Sequence, residues 1–480
     1  MLRVMDAING FLWGVPALVL ILSVGLVLSI RTHWVQLRLF PAAIRAFITP
    51  FHKKEKEDGI SPYRALCTAL AATVGTGNLA GVAGAIAIGG PGAIFWMWIS
   101  AILGMVTKFA EATLSVRYRV RDSDGQYVGG PMYMVQQGLS AKWRPVACIY
   151  CFFGVVAAFG VGSATQVNAV LGGINGAVRS LGGQESSTVN LIIGVALVLL
   201  IAPVLLGGAK RIGAAAAFLV PFASVFYLLL CTAVLLLRAS EIPQAFSLIL
   251  QGAFSPKAAT GGVLGSAFLA LRIGTSRGVF TNEAGMGTAG IAHGSAQVTH
   301  PVQQGLMGII EVFIDTIVIC TMTALVILCS GIEIPYGHDL GIRITADAFA
   351  KVLGSWVTIP IALSLCCFAI ATVIGWGLYG ARCAQFLFGD KAWKRFSVLQ
   401  AASIIIGVVL STGTVWIMSE IANGLMAIPN LLILLHLCPE LVRLTKEYSN
   451  GYTQRKVSGV KNENIREIQA LSAVSYEKVS

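Results

Sequence analysis

Apolar stretches without charged residues recur along most of the chain, and most are long enough to cross a lipid bilayer. A bilayer core of about 30 Å requires roughly 20 apolar residues in a helix. Residues 65–107 form the longest stretch, with 43 residues and no charge, and the Gly-Gly-Pro-Gly turn at 89–92 divides it in two. The pattern predicts eleven transmembrane helices, within residues 11–30, 65–107 (two), 145–173, 189–206, 212–237, 261–290, 305–331, 356–381, 397–419 and 421–439.

The amino-acid composition also indicates a membrane protein. Of 480 residues, 56% are hydrophobic and only 12% are charged, with a mean hydropathy of +0.78. Soluble domains carry about 25% charged residues, so we expect an all-α polytopic membrane protein. Cys148 and Cys151 form a CxxC, but no second pair or histidine cluster completes a metal site, and no phosphate-binding loop is present. We therefore expect no enzyme, no cofactor beyond a coupling ion and no ATPase subunit.

Basic residues are distributed unequally between the two sets of loops. One set carries 26 of the 34 Lys and Arg residues and the other carries six, with two more at span edges. Because basic loops stay inside, we expect a cytoplasmic C-terminal tail and an external N-terminus in the inner or plasma membrane. This bias also accounts for the net charge of +12 without nucleic acid as a partner.

After the first helix, the spans divide into two sets of five. Residues 1–60 hold that helix and a basic loop, 61–240 a first repeat, 241–443 a second, and 444–480 a tail. Five spans reverse the polarity, which predicts a 5+5 inverted repeat with broken first helices. Gly-rich runs fall there, at 73–78 in one repeat and at 261–266 and 273–276 in the other. Glycines that only allow close helix packing are the alternative.

An unwound segment inside a membrane frees backbone groups that suit a small zwitterion and a hard cation. The TVGTGN run at 73–78 adds two hydroxyls and an amide. Four carboxylates also lie in or beside the spans, at Glu111, Glu283, Glu311 and Asp315. Intramembrane carboxylates are candidates for function, here as gates or ion pairs with Lys108, Arg272 or Arg277, or in direct ion coupling.

Several motifs resemble one known family, the alanine/glycine:cation symporters. They are the stretch from SPYRALCTALAATVGTGN to SVRYR at 61–119, GGPMYMVQQGL at 129–139, RGVFTNEAGMGTAGIAHGSA at 277–296, FIDTIVICTMTAL at 313–325, ATVIGWGLYG at 371–380 and NGLMAIPNLL at 423–432. The resemblance covers about 60–440. It implies the leucine-transporter fold and uptake of alanine or glycine coupled to Na⁺ or, less often, to H⁺.

The resemblance also implies roles for individual residues. The N–H groups near Thr76 and Gly77 would bind the substrate carboxylate, and Gln166 would contact substrate, although Ser163 stands where the family pattern has Asn. One cation site would take the carbonyls of Ala71, Val74 and Ala369 with the Thr372 hydroxyl. The remaining assignments are a second candidate cation site at Thr73 and Asn78, a pocket wall at Trp376, and further substrate contacts at Thr73, Asn78, Gly265 and Thr372.

Structural alternatives stay open for three of these residues. Thr372 can bond back to its own helix, Gln166 can join helices, and Trp376 can lie in an interfacial belt or a gate. The function predicted is symport of alanine, glycine or both with Na⁺ through alternating access, with H⁺-coupled symport of a small neutral amino acid as the alternative. A membrane enzyme or a channel is disfavoured because no clustered His or Asp and no pore-forming symmetry is found.

The basic bias predicts the placement of both chain ends. Reporter fusions at the N-terminus should report the external side, and fusions after Leu444 the cytoplasmic side. Both reporters on one side would contradict an odd number of spans.

Overall fold

A computed structural model describes residues 2–48, 60–180, 182–254, 267–338, 341–409 and 412–458. These residues are mostly helical. The α-helices are α1 (Leu2–Leu12), α2 (Val15–Arg31), α3 (Val35–Arg38), α4 (Phe40–Ile48), α5 (Pro62–Thr73), α6 (Val82–Gly89), α7 (Gly92–Arg117), α8 (Pro131–Gly138), α9 (Arg144–Phe159), α10 (Thr165–Ser180), α11 (Ser187–Leu206), α12 (Gly208–Leu237), α13 (Ile242–Phe254), α14 (Ala267–Asn282), α15 (Thr288–His293), α16 (Pro301–Val312), α17 (Thr321–Cys329), α18 (Ile342–Leu353), α19 (Thr358–Phe388), α20 (Ala392–Val409), α21 (Thr412–His436) and α22 (Cys438–Ser458).

Shorter elements join or interrupt these helices. Wider π-helical turns occupy Gly77–Gly81, Gly160–Ala164 and Phe313–Cys320, and 3₁₀ turns occupy Ala141–Trp143, Ala239–Glu241 and Ser355–Val357. The basic loop after α7 contains a small antiparallel hairpin of β1 (Val120–Arg121) and β2 (Tyr127–Val128). An all-α chain was predicted, so this hairpin is a minor departure, stabilised where Tyr127 stacks under the Arg119 and Arg121 guanidinium groups.

Eight helical stretches are long and apolar enough to cross a membrane, or ten if each of two bent helix pairs is one span. These ten overlap ten of the eleven predicted spans, so the chain is a multi-pass membrane protein. The seventh predicted span, at 261–290, includes residues 261–266, which lie outside the described residues. The count of eleven and the inverted repeat therefore stay predictions.

The predicted break in the first repeat is present. Helix α5 ends at Thr73, a wide turn follows at Gly77–Gly81, and the two halves are bent by 52°. The break predicted at 273–276 is wrong, because α14 runs through these residues without interruption. A methyl group on Gly274 would overlap the Ala93 carbonyl, and one on Gly278 would overlap the Ser100 hydroxyl. These glycines serve close packing on α7 instead.

The boundary between the last two spans also differs from the prediction. Glu420, placed between spans in the sequence analysis, lies inside α21. Its carboxylate is 3.3 Å from the Arg277 guanidinium and accepts a hydrogen bond from the Asn9 amide. A charge paired in this way can lie within a helix instead of ending it.

Two long helices, α7 and α19, form the centre of the packing. Helix α7 contacts α2, α13, α14 and α16, and α19 contacts α5, α9, α10, α12 and α20. Small residues allow these close approaches: a methyl group on Gly375 would lie 2.8 Å from the Ala72 nitrogen. Large apolar side chains face outward on α11 and α12, where Leu199, Phe218 and Leu236 are more than 70% exposed, as expected for contact with lipid.

The closest approach of α7 to α13 generates a stability prediction. A methyl group on Gly92 would overlap the Gly252 carbonyl, so Gly92→Ala should destabilise the protein by about 1–3 kcal/mol. The matched control is Gly172→Ala in α10, an exposed helical glycine with nothing within 4 Å of the added methyl group. The control should leave the apparent melting temperature of the detergent-purified protein unchanged or raise it, whereas equal melting of both variants would contradict the packing.

Candidate functional site

The broken helix is held open by a side chain that replaces a helical hydrogen bond. The Val74 N–H still donates to the Leu70 carbonyl at 2.7 Å, as in a regular helix. The next N–H, of Gly75, donates at 2.8 Å to Oδ1 of Asn78, whereas an unbroken helix would direct it to Ala71. The Ala71 carbonyl therefore loses its helical donor, and the carbonyls that follow lie at a helix terminus.

Asn78 is fixed in turn by a carboxylate from a distant part of the chain. Its Nδ2 donates to Asp315 Oδ1 at 2.7 Å and to the Asp315 carbonyl at 3.2 Å. The other Asp315 oxygen accepts the Thr316 hydroxyl at 2.7 Å, and that hydroxyl accepts the Asn282 amide at 3.1 Å. Asp315 therefore joins the break to the π-helical segment 313–320 and to the end of α14.

Helix α19 meets the break at the position predicted for a cation site. A methyl group on Gly75 would lie 2.7 Å from the Thr372 hydroxyl. That hydroxyl donates to the Phe368 carbonyl at 3.0 Å, which is the bond back to its own helix that was the structural alternative. Ala71, Val74 and Ala369 are buried in the same region.

Gln166 and Thr76 are also brought together. The Thr76 hydroxyl donates to Gln166 Oε1 at 3.3 Å, and Gln166 Nε2 donates to the Val161 carbonyl at 3.1 Å. Gln166 follows directly on the wide turn at 160–164, which displaces its side chain relative to a regular helix. Ser163, by contrast, donates to Ala158 of its own helix at 3.5 Å.

The side chains of Thr73 and Asn78, predicted for the second cation site, bond to protein groups. The Thr73 hydroxyl donates back to Ala69 at 3.3 Å, while the Asn78 amide is engaged with Gly75 and Asp315 as described. A methyl group on Gly77 would lie 3.2 Å from Thr281, so α14 packs against this side of the break. Gly265 lies outside the described residues.

Trp376 and Glu283 form a contact between α19 and the loop that follows α14. The indole N–H donates to Glu283 Oε1 at 3.0 Å, and Thr288 donates to Glu283 Oε2 at 2.8 Å. Glu283 has a φ of 53°, a left-handed conformation that is uncommon outside glycine. Trp376 is fully buried, which removes the interfacial-belt alternative.

Glu111 binds the same loop from the opposite side. One of its oxygens accepts the N–H groups of Gly285 and Gly287, at 2.9 and 3.0 Å, and the Asn430 amide at 2.9 Å. Asn430 also donates to the Gly285 carbonyl at 2.9 Å. The loop between α14 and α15 is therefore bound to α7, α19 and α21 at once.

The fourth buried carboxylate, Glu311, belongs to an ion pair. Lys108 Nζ lies 2.8 Å from Glu311, whose other oxygen is 3.0 Å from His293 Nε2. The Gln304 amide contacts His293 Nδ1 at 2.6 Å, which places the histidine proton on Nε2, facing the carboxylate. Lys108, a predicted partner for an intramembrane carboxylate, is therefore paired with Glu311.

Sequence reasoning missed His293 and Asn430. His293 is a single histidine inside the apolar run GIAHG, and such a histidine needs a buried partner even where no metal-ligand spacing is present. Asn430 lies in an apolar part of α21, directly after Pro429, and an amide in such a run needs a polar partner on another helix or loop. Both signals were present in the sequence.

Comparisons with known proteins agree on one family. The profile of the sodium:alanine symporter family matches residues 1–462. The sodium/alanine symporter AgcS of Methanococcus maripaludis is 40% identical over 448 residues, covering 92% of this chain and 96% of that protein. A probable sodium/glutamine symporter, GlnT of Bacillus subtilis, is 35% identical over 458 residues, covering 94% and 90%.

A solved structure shows the shared fold. The crystal structure of MhsT in complex with L-phenylalanine superposes with a TM-score of 0.56 at 15% identity, covering 82% of this chain and 99% of that one. MhsT has the leucine-transporter fold, so the fold implied by the motif resemblance is confirmed. The chain belongs to the sodium:alanine symporter family.

Proposed function

We propose that this protein imports alanine, glycine or both together with Na⁺ by alternating access. The observation that carries the proposal is the meeting of the broken helix with Thr372 on one side and Gln166 on the other. Family membership supports symport of an amino acid with Na⁺. The names of relatives include both alanine and glutamine symporters, so the substrate is argued from the site.

The close packing of α14 and α19 against the broken helix favours a small substrate. Thr76 and Gly77 begin the second half of the broken helix, where free N–H groups attract a carboxylate. Gly75 and Gly77 are close enough to Thr372 and Thr281 that added methyl groups would lie 2.7 and 3.2 Å from them. We infer that a methyl or hydrogen side chain fits there more readily than the longer amide of glutamine.

The coupling ion is assigned to the other side of the break. Na⁺ prefers several oxygen ligands, and the carbonyls of Ala71, Val74 and Ala369 with the Thr372 hydroxyl offer four. The Thr372 hydroxyl uses its proton in the bond to Phe368, which leaves its lone pairs for a cation. Thr73 and Asn78 stay the second candidate, less favoured because the Asn78 amide oxygen already accepts the Gly75 N–H.

Alternating access requires a gate, and the loop between α14 and α15 suits this role. Trp376 and Glu111 hold the loop through hydrogen bonds on opposite sides. With the proposed external N-terminus, this loop lies toward the cytoplasm. Opening the inward path would require release of these bonds, and rebinding would close it.

Uptake by proteoliposomes tests the whole proposal. Labelled alanine should accumulate when an inward Na⁺ gradient is imposed alone, and unlabelled glycine should compete while leucine and glutamine should not. Accumulation driven only by a proton gradient would support the alternative coupling ion. Equal competition by glutamine would contradict the small pocket.

Replacement of one hydroxyl tests the cation site. Thr372→Val keeps the side-chain volume and removes one Na⁺ ligand, which should raise the Na⁺ concentration for half-maximal uptake by roughly 5- to 150-fold, equivalent to about 1–3 kcal/mol. Thr372→Ser should recover much of the loss.

The matched control is Thr73→Val, which also removes a hydroxyl that bonds back to its own helix beside the same break. It should leave the Na⁺ dependence nearly unchanged. If Thr73→Val shifts the Na⁺ dependence and Thr372→Val does not, the ion binds at the second candidate site.

A further inference from the structure

A crevice at one end of the helical bundle collects basic side chains from two distant parts of the chain. It lies between the turn that follows α2 and one face of α22, and its volume is about 310 Å³ including the solvent at its mouth. The lining includes Arg31, His33, Arg38 and Lys446, with the Thr32 and Thr445 side chains beside them. Three permanent cations and a histidine therefore converge on one small volume.

The turn that presents these cations is fixed in shape. His33 and Trp34 both have left-handed backbone conformations, with φ of 55° and 52°, and the Trp34 N–H donates to the Ser29 carbonyl at 2.7 Å. The buried Gln36 amide donates to the Ser29 hydroxyl at 2.8 Å. Two consecutive left-handed residues are unfavourable outside glycine, so buried contacts hold this turn in place.

Charge compensation differs between the two faces of α22. Arg443 pairs with Glu440 and Glu447, at 2.7 and 2.5 Å, and Arg117 also pairs with Glu440. Within the described ranges, Arg31, Arg38 and Lys446 form no ion pair with a carboxylate. Among the described residues, the crevice therefore holds three cations without a paired carboxylate, next to a face of α22 whose charges are paired.

The surroundings of the crevice identify the kind of anion. Trp34, Leu37 and Ile48 are exposed by 41, 56 and 70% on the segment that continues from the same turn. Tryptophan and exposed aliphatic side chains beside basic residues are typical of the headgroup level of a bilayer. A soluble phosphate would use the cations, but it would leave these apolar side chains without a partner.

We propose that this crevice binds the phosphate headgroup of an anionic phospholipid, with the acyl chains along Trp34 and Leu37. The positive-inside bias accounts for basic residues on this side, but not for the convergence of three of them with no paired carboxylate among the described residues. The bound lipid would join the end of α2 and the turn after it to α22. This inference concerns a site separate from the transport pathway and is independent of which substrate is carried.

Lipid titration of the full-length protein in neutral detergent tests the proposal. Added phosphatidylglycerol should raise the melting temperature with saturation, and phosphatidylcholine should not. Each basic residue near an anionic surface contributes about 1 kcal/mol, so Lys446→Gln should weaken phosphatidylglycerol binding about 5-fold and Arg38→Gln with Lys446→Gln about 30-fold. Lys446→Arg, which keeps the charge, should bind as the parent does.

The matched control neutralises two exposed cations elsewhere, Lys394→Gln with Arg395→Gln, and should retain binding. Equal binding of phosphatidylglycerol by the parent and the Arg38/Lys446 variant would overturn the proposal, as would equal stabilisation by phosphatidylcholine. If sodium phosphate alone gives the same mutation-sensitive stabilisation, the ligand is a soluble phosphate and the lipid assignment is wrong. The substituted side chains, Arg38, Lys394, Arg395 and Lys446, are all exposed. If the Arg38/Lys446 double variant does not fold, the weaker phosphatidylglycerol binding of Lys446→Gln supplies the same test.

Discussion

The hydrogen bond from the Gly75 main chain to the Asn78 side chain is the interaction on which the site depends. In an unbroken helix the same N–H would satisfy Ala71, and no carbonyl would be left for a ligand. A buried carbonyl without a partner is unfavourable in a membrane, so the break persists only because Asn78 is held by Asp315 and because α19 covers the opened turn. Helices α5, α14 and α19 and the π-helical segment 313–320 are thereby arranged around one local departure from regular structure.

Buried charges form a second layer around this break. Each of the carboxylates Glu111, Glu283, Glu311 and Asp315 accepts at least one hydrogen bond from a buried donor, and Lys108 neutralises one of them directly. Such groups add little net stability compared with apolar packing, but removal of one partner leaves an uncompensated charge. Glu111 and Glu283 give the loop between α14 and α15 a defined geometry, which apolar contacts alone would specify less strictly.

The sequence was sufficient for the fold class, most of the spans and the first break, because apolar length and the TVGTGN run are local signals. The sequence was insufficient where local structure depended on contact with a helix or side chain far away in the chain. A glycine-rich run looks the same in sequence whether the helix unwinds there or packs closely on a neighbour. Only the close approach of α7 shows that Gly274 and Gly278 lie in a continuous helix packed on α7. Likewise, the partnership of Asn78 with Asp315 joins residues 237 positions apart, and no local pattern connects them.

The Lys108–Glu311 pair has a consequence for how the protein is made. The two residues are 203 positions apart, and at a synthesis rate of about 5–20 residues per second the carboxylate emerges roughly 10–40 s after the lysine. During that interval an unpaired ammonium within a span is unfavourable in lipid. Glu111 lies three residues later on the same face of α7 and offers the nearest opposite charge until Glu311 arrives. The acid that later binds the Gly285 loop can therefore act first as a temporary counter-ion during membrane insertion.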